Sequence, residues 1–353
     1  MIHDKIQRIL VIRYRFIGDT ILTVPFIRNL RYHYPNAIID VLVGPQSGEV
    51  LAGCPYVNEL IPFDTTRFHK YDRGEGKTKN FLSYVFELRK RSYDLVFVLK
   101  RSWSSAILAW AVAPIRIGYG TNGRGFLLTK TAPFDSNKHE VESTLDVLRA
   151  ADIPIIDKHL EAWISPEEHN QIVSKVPSLS LKDKRVLIHA AAAHPDKLYP
   201  LESWAEIIKA LSNLGMTVYF TGAQQDYALY QQLEDLSQVK CVNLAGKLTL
   251  RESMALYKEM NLAVCVDSGP AHLTAAVGTP TISIFGPTNP ERWRPYGEIH
   301  RAIFEASLPC RPCNYHKTCI NRECLTELRP DVIIQACTEV LGIAKNPLHA
   351  SKQ

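Results

Sequence analysis

The chain has 353 residues, 46% of them hydrophobic and 22% charged, and its formal net charge is +5. This length suits two domains of ordinary size, and the composition excludes a largely disordered chain. No apolar run approaches the roughly 20 residues that cross a bilayer, and the small, dispersed basic excess argues against nucleic acid as a partner. The N-terminal residues lead into a strand without the apolar core of a signal peptide, so we expect a cytoplasmic protein.

In the first half, apolar runs alternate with amphipathic stretches, which is typical of an α/β domain with a parallel sheet. Pro25 lies near the start of the first helix and predicts a boundary or a kink there. The pattern predicts strands at 8–14, 38–43, 94–99 and 115–119, and helices at 21–34, 81–91 and 139–151.

The composition changes over residues 153–184, which are rich in Pro, Ser and Lys. Within this region residues 162–164 resemble a strand, Ser165 and the Pro-Glu-Glu after it predict a helix start, and residues 178–184 suit a linker. The alternation then resumes and predicts a second α/β domain. Its predicted strands are 185–190, 217–221, 262–266 and 281–285, and its predicted helices are 201–214, 225–237, 250–260 and 330–343. We therefore predict two Rossmann-like domains that face each other across a cleft.

Asp19 follows the first strand and begins the next helix, at the carboxyl edge of the sheet. Open α/β sheets bind their ligands at this edge, where one carboxylate can act as a general base on a nearby hydroxyl. The alternative is that Asp19 only caps the helix. Because no G-x-G-x-x-G follows the strand, we expect no nicotinamide cofactor.

The second half contains a βαβ unit whose turn carries Asp267, Ser268, Gly269 and His272. Gly269 permits close approach of a ligand, and Ser268 can cap the helix while its hydroxyl faces that ligand. The free N–H groups and positive dipole end at such a helix start suit a diphosphate. The alternative is an ordinary capped helix.

Two further polar residues follow strands of the second domain. Lys197 is placed to neutralise a phosphate as a point charge, although a solvated loop lysine is the alternative. Asp226 follows the next strand, where a carboxylate commonly binds ribose hydroxyls.

Positive charge is concentrated in the loop 65–79, where the aromatic residues Phe68 and Tyr71 are interleaved with basic ones. A further positive charge lies at Arg101. The loop could be a lid that grips an anionic acceptor, or a solvated surface loop. Its candidate binding residues are Arg67, Lys70 and Arg73.

Four cysteines lie within fifteen residues, at Cys310, Cys313, Cys319 and Cys324. The first two form a C-x-x-C pair that could begin a structural zinc or iron–sulfur site, but the later spacings match no standard cluster. A reduced structural loop is the alternative, and elemental analysis distinguishes the two.

Together these segments resemble the ADP-heptose:lipopolysaccharide heptosyltransferases, which form glycosyltransferase family nine. The resemblance runs from about residue 8 to 340, and the Cys310-Arg-Pro-Cys313 loop is similar to that of the second-heptose branch. The motifs that carry it are Gly18-Asp-Thr-Ile-Leu-Thr-Val-Pro25, Arg116-Ile-Gly-Tyr119, Gly123-Arg-Gly-Phe-Leu-Leu-Thr129, Asp267-Ser-Gly-Pro-Ala-His272 and Phe285-Gly-Pro-Thr288.

The resemblance implies the GT-B arrangement of two Rossmann-like domains and inverting transfer of a heptose from an ADP-sugar, with no metal or cofactor in the chemistry. It implies an N-terminal acceptor domain at 1–177, a nucleotide-sugar domain at 178–330 and a C-terminal helix at 331–353 that packs back on the first domain. It also implies an anionic glycolipid acceptor and peripheral contact with the cytoplasmic face of the inner membrane, through the basic edge of the first domain.

The resemblance further implies a role for each candidate residue. Asp19 is the general base, and Lys197 with the N–H groups around Ser268 and Gly269 stabilises the departing diphosphate. The other implied roles are shaping of that pocket by Asp267 and His272, ribose binding by Asp226, adenine contact by Leu248, and acceptor binding by Arg67, Lys70, Arg73 and Arg101.

The chain departs from the family pattern in two places beside the donor. Four alanines follow His189, and Leu-Tyr-Pro follows Lys197. The sugar or nucleotide could therefore differ, and a sugar-nucleotide epimerase or a non-catalytic nucleotide-sugar-binding protein stays open as an alternative.

Overall fold

The computed structural model describes residues 6–64, 80–180, 183–315, 319 and 321–342. The chain divides into two compact units, Met1–Trp163 and Ile164–Gln353. Within the described residues each unit contains one six-stranded sheet, and all paired strands are parallel. The predicted α/β class with two Rossmann-like domains is confirmed.

In the first unit the strand order is β3-β2-β1-β4-β5-β6, so the order reverses between β1 and β4. The strands are β1 (Arg8–Ile12), β2 (Ile38–Val43), β3 (Glu59–Pro62), β4 (Leu95–Val98), β5 (Ile115–Tyr119) and β6 (Lys130–Ala132). The helices are α1 (Ile17–Ile21), α2 (Val24–His33), α3 (Phe81–Lys90), α4 (Trp103–Val112) and α5 (Glu140–Ala150). Central strands of a parallel sheet are apolar on both faces because helices cover both sides, and residues 9–12 of β1 are accordingly all buried.

The second unit repeats this arrangement with the order β12-β11-β10-β7-β8-β9, which reverses between β7 and β10. The strands are β7 (Lys184–His189), β8 (Met216–Phe220), β9 (Val242–Asn243), β10 (Leu262–Val266), β11 (Thr281–Phe285) and β12 (Arg301–Phe304). The helices are α6 (Pro166–Lys175), α7 (Leu201–Asn213), α8 (Tyr227–Ser237), α9 (Leu250–Lys258), α10 (Gly269–Ala276), α11 (Pro290–Trp293), α12 (Glu323–Thr326) and α13 (Pro330–Val340). A reversal of strand order opens a crevice beyond the carboxyl ends of the two strands involved, and this is where open α/β sheets bind ligands.

The local signals read from the sequence have mixed outcomes. The helix boundary predicted near Pro25 is confirmed, since α1 ends at Ile21 and α2 starts at Val24. The helix start at Ser165 is confirmed by a full capping box with Glu168. The prediction of a strand at 162–164 is wrong. The segment has no regular secondary structure; Trp163 within it packs edge-on against Tyr56, and the preceding Glu161 pairs with Arg28.

The unit boundary also differs from the predicted division at 177 and 178. It falls after Trp163 because α6 belongs to the second unit, where Glu168 accepts two hydrogen bonds from Arg251 of α9. Lys175 of α6 likewise donates to Glu252.

The C-terminal segment 331–353 was predicted to pack on the first domain. Its described part, α13, packs within the second unit against α7, β11 and β12, where Ile333 and Cys337 are fully buried. Burial of these two side chains in the second core supplies the apolar contact that holds the helix there. No helix in the described ranges is long and apolar enough to traverse a bilayer.

Candidate functional site

Asp19 lies in the first turn of α1, beyond the carboxyl end of β1. Arg15 and Phe16, both with positive φ, turn the chain between strand and helix. Phe16 occupies the N-cap position of α1 and forms no side-chain capping bond. Asp19 is therefore not the residue that caps α1, and its carboxylate is directed to another partner.

That partner is the buried side chain of Arg13. Arg13 Nη2 lies 3.0 Å from Asp19 Oδ1 and 2.7 Å from Glu140 Oε1, and Arg13 Nη1 donates to the Leu99 carbonyl at 2.9 Å. Burial opposes the charge of Arg13, but Asp19 and Glu140 outweigh it and raise the pKa of the guanidinium. The Glu140 side chain is 5% exposed and that of Asp19 is 20% exposed, so Asp19 is the carboxylate that a ligand can reach.

Lys100 follows β4 on the other side of the same strand-order reversal. Its ammonium donates to the Tyr14 carbonyl at 3.0 Å and lies 4.3 Å from the centre of the Tyr14 ring. Burial has the largest effect on the pKa of Lys100 and the charge of Arg15 the next largest. Both lower this pKa, which is about 7 although the charge of Asp19 raises it. The edge near Asp19 thus carries an amine whose charge changes near neutral pH.

Of the predicted acceptor-binding residues, Arg101 lies in the described part of the chain. It is exposed at the start of the loop before α4, and its guanidinium carbon lies 3.9 Å from the centre of the Phe134 ring. Arg67, Lys70 and Arg73 lie outside the described residues.

In the second unit, Lys197 and Asp267 form a close ion pair. Lys197 Nζ lies 2.7 Å from Asp267 Oδ2 and donates to the Asp267 carbonyl at 3.1 Å, while Thr288 Oγ1 donates to the same carboxylate at 2.5 Å. Burial disfavours the charge on Lys197, but Asp267 and then Tyr315 outweigh it and raise the pKa of the ammonium. Lys197 therefore stays positively charged at the carboxyl edge of the sheet.

The turn after β10 has the predicted position but a different hydrogen bond. Ser268 is the N-cap residue of α10, which begins at Gly269, yet its hydroxyl donates to the Val266 carbonyl at 3.1 Å and forms no cap. The expected Ser268 cap is therefore wrong, because the hydroxyl bonds back to the strand. Ser268 thus gives the amino end of α10 no side-chain cap, which suits an anionic ligand, and His272 is buried one turn into the helix.

Asp226 is partly committed to its own turn. Asp226 Oδ2 accepts a hydrogen bond from the Ala223 N–H at 2.7 Å, and a Cβ at Gly222 would come within 2.6 Å of that oxygen. The Gly246 N–H donates to the Gly222 carbonyl at 2.9 Å, which brings the half-buried Leu248 loop beside the Asp226 turn. The structure thus places the predicted ribose and adenine residues on adjoining loops.

The four clustered cysteines line one cavity of about 210 Å³, at Cys310, Cys313, Cys319 and Cys324. All four are free thiols, and Cys319 Sγ accepts a hydrogen bond from the Arg322 N–H at 3.2 Å. Within the described ranges, no three or more His, Cys, Asp or Glu side chains are arranged to hold a metal ion. The geometry therefore gives no support to a metal centre here.

Several contacting residues were not predicted as site residues from the sequence. Glu140 begins a helix far along the chain from Arg13, and Thr288 follows a different strand from Asp267. A polar residue at a strand end was the available signal for Arg13, but no local pattern identifies its partner.

Comparisons with known proteins give a consistent result. The profile of Glycosyltransferase family 9 (heptosyltransferase) matches residues 82–324. Lipopolysaccharide heptosyltransferase 3 of Escherichia coli K12 is 30% identical over 338 residues, which cover 93% of this chain and 96% of the relative. Lipopolysaccharide heptosyltransferase 2 of Salmonella typhimurium LT2 is 30% identical over 314 residues, which cover 84% and 88%. The solved structure of E. coli ADP-heptose lps heptosyltransferase II has the same fold, with a TM-score of 0.76 at 24% identity over 95% of this chain and 98% of that one.

Proposed function

The chain belongs to glycosyltransferase family 9, and we propose that it transfers a heptose from an ADP-sugar to the inner core of lipopolysaccharide or a similar glycolipid. The observation that carries this proposal is the 30% identity to a lipopolysaccharide heptosyltransferase across 93% of the chain. Relatives named heptosyltransferase 2 and heptosyltransferase 3 match at the same identity, so either heptose position on the acceptor is consistent with it.

In the proposed reaction, an acceptor hydroxyl attacks the anomeric carbon of the donor from the face opposite the diphosphate. Asp19 takes the proton of that hydroxyl as the new C–O bond forms, the bond to the diphosphate breaks, and ADP leaves with the anomeric centre inverted. A carboxylate in this role accelerates the reaction by roughly 10²–10⁴-fold. The contact with Arg13 supports the assignment, because it fixes the carboxylate while leaving it partly exposed.

The departing diphosphate would gain negative charge, and we assign its stabilisation to Lys197 and the N–H groups around Ser268 and Gly269. The raised pKa of Lys197 supports this role, because the ammonium keeps its charge before the ligand arrives. Asp267 would orient Lys197, and His272 would pack behind the pocket. Preorganised donors of this kind each contribute roughly 10²–10³-fold.

The remaining donor contacts are assigned to the adjoining loops of the second unit. Asp226 would bind the ribose through the carboxylate oxygen that does not bond to Ala223, and Leu248 would lie against the adenine. Arg101, with Arg67, Lys70 and Arg73, would bind the anionic acceptor at the cytoplasmic face of the inner membrane.

The proposal is tested with the purified full chain, ADP-heptose and a heptose-deficient lipopolysaccharide acceptor. We expect ADP release that requires the acceptor, a mass increase of one heptose in the product, and an inverted linkage by NMR. Turnover of the nucleotide sugar without any acceptor would instead support an epimerase, and tight nucleotide-sugar binding without turnover would support a binding protein.

The nucleotide is tested separately by thermal shift with ADP, UDP and GDP. Preferential stabilisation by ADP supports the ADP-sugar donor, since at equal concentration the ligand that binds more tightly stabilises the folded state more. Preference for UDP would overturn that part of the proposal.

A further inference from the structure

The first unit exposes an unusual cluster of large apolar side chains along α3, α4 and the 3-10 turn Arg124–Leu127. Their exposed fractions run from 42% at Ile107 to 75% at Phe126. They are six of the fourteen exposed large hydrophobic side chains in the described part of the chain, so the clustering is marked. We call this surface the α3–α4 face; its members are Leu82, Phe86, Trp103, Ile107, Trp110 and Phe126.

Helix geometry makes the α4 part of this surface continuous. Trp103, Ile107 and Trp110 of α4 are spaced i, i+4 and i+7, so they share one side of the helix while Leu108 and Ala109 face the core. A helix of a soluble protein usually presents polar residues on its outer side, and α4 presents two tryptophans and an isoleucine there. Such an exposed patch is typical of an interaction site.

The neighbouring elements extend the patch on both sides of α4. Leu82 and Phe86 lie one turn apart on α3, which packs against α4. On the other side, the Phe126 ring lies 6.1 Å from the Trp103 ring. The apolar surface therefore spans three elements of the chain.

The α3–α4 face begins at the sheet edge that carries Asp19. Trp103 begins α4 just after Arg101, and the hydroxyl of Tyr14, two residues beyond β1, lies 3.2 Å from Ser105 Oγ in the first turn of α4. Because β1 and β4 are neighbours, the start of α4 and Asp19 lie at adjoining strand ends. A surface bound to this face would be next to the edge where the acceptor is proposed to react.

We propose that the α3–α4 face docks on an anionic lipid bilayer. Tryptophan and phenylalanine concentrate at the membrane–water interface, where an apolar ring meets polar headgroups. Beside them, an open groove of about 510 Å³ is lined by apolar Leu82, Val85 and Phe86 and by basic Arg89 and Lys90. This combination complements an anionic lipid, whose acyl region and phosphate present the matching groups.

The charges disfavour a second copy of the chain as the occupant. A symmetric dimer through this face would bury four cationic side chains, Arg89 and Lys90 of both copies, in one interface, and charged residues are disfavoured in interface cores. The inference rests on the proposed function, because a glycolipid acceptor gives the enzyme a reason to lie on a membrane. It differs from the sequence-based expectation, which placed membrane contact on the basic edge of the first domain.

The test is co-sedimentation of the full chain with phosphatidylethanolamine–phosphatidylglycerol vesicles and with phosphatidylcholine vesicles. We expect tighter binding to the anionic vesicles, which weakens with salt. A Phe86→Ser/Trp110→Ser variant should lose at least about tenfold in vesicle affinity, because two large apolar side chains no longer insert. An Arg89→Ala/Lys90→Ala variant should lose about fivefold per charge on anionic vesicles only.

Leu236 and Ile299 supply the matched control, since they are about half exposed in the second unit. A Leu236→Ser/Ile299→Ser variant should bind vesicles as the unmodified chain does. Equal binding by the Phe86→Ser/Trp110→Ser variant would overturn the proposal. The proposal would also be overturned if sedimentation velocity showed a dimer of the unmodified chain and the Phe86→Ser/Trp110→Ser variant lost that dimer but kept its vesicle binding.

Activity on a delipidated, water-soluble acceptor separates this inference from the proposed function. The Phe86→Ser/Trp110→Ser variant should keep full turnover on that acceptor and lose turnover on acceptor embedded in vesicles. If the unmodified chain turns over neither acceptor, the proposed function fails, whereas the vesicle-binding result still decides the docking surface.

Discussion

The Lys197 ammonium lies 2.7 Å from a carboxylate oxygen of Asp267 at the carboxyl edge of the second sheet. The carboxylate raises the pKa of Lys197 and keeps its ammonium protonated beside the amino end of α10, where Ser268 forms no side-chain cap. A diphosphate that binds there would therefore contact a lysine side chain that is already protonated. Two features that bind anions separately are thus brought together at one strand end.

Lys197→Ala is therefore expected to weaken ADP binding by roughly 10- to 100-fold, the loss of one hydrogen bond to a charged group. Isothermal titration calorimetry measures this directly. Lys209→Ala is the control, because Lys209 is an exposed lysine of the same unit. This variant should bind ADP with the affinity of the unmodified chain. Unchanged ADP affinity in the Lys197 variant would remove the lysine from the diphosphate site.

Asp19→Asn keeps the shape of the side chain and removes its ability to accept a proton. We expect turnover to fall by roughly 10²–10⁴-fold while ADP affinity stays the same. Steady-state rates and calorimetry on the same preparation check both parts. Asp152→Asn, at an exposed ion pair with Lys130, should leave turnover intact. An active Asp19 variant would show that another group takes the proton.

Glu140→Gln tests whether the buried glutamate acts through Arg13. With Glu140 neutral, the Arg13 guanidinium would interact more strongly with Asp19 and make it a weaker base. We expect kcat to fall about tenfold, the acid limb of the pH–rate profile to move to lower pH, and ADP affinity to stay constant. Glu140→Asp, which keeps the charge, should restore part of the rate. A lower rate with an unmoved pH profile would indicate only structural support.

Much of the fold was predictable because central strands of a parallel sheet are continuously apolar. The strands at 38–43, 115–119, 262–266 and 281–285 were predicted with their observed bounds. The short edge strands β3, β6, β9 and β12 were missed, since two to four residues with a polar side chain among them give no periodic signal. Helix α4 was missed for the opposite reason: it is apolar on both sides and shows no amphipathic pattern.

Candidate site residues could be proposed where they lie in the segment that follows a strand. Asp19, Lys197 and Asp267 were predicted in this way, because the end of a strand fixes which sheet edge the following segment occupies. Glu140 could not be found, since its contact with Arg13 joins residues 127 positions apart. The Ser268 cap failed because a hydroxyl has more than one backbone partner within reach, and sequence alone does not choose between them.

A last prediction concerns acid stability and follows from the buried His300. Burial lowers the pKa of His300 most, and the neighbouring charge of Arg301 lowers it further. The pKa is about 4, against an ordinary 6.5. Below pH 6.5 the unfolded chain therefore binds a proton that the folded chain does not. His300 accordingly contributes stability above pH 6.5, and that contribution is lost as the pH falls toward 4.

His300→Gln removes this titration. Between pH 7 and pH 5 the unmodified chain should lose about 2 kcal/mol more of its free energy of unfolding than the variant does. Urea unfolding at the two pH values measures the difference. His189, whose pKa is also lowered to about 4 by burial, is present in both proteins and cancels from the comparison. His159→Gln, at an exposed position, should show the same loss as the unmodified chain. An equal loss in the His300 variant would mean that this imidazole titrates alike in the folded and unfolded chain.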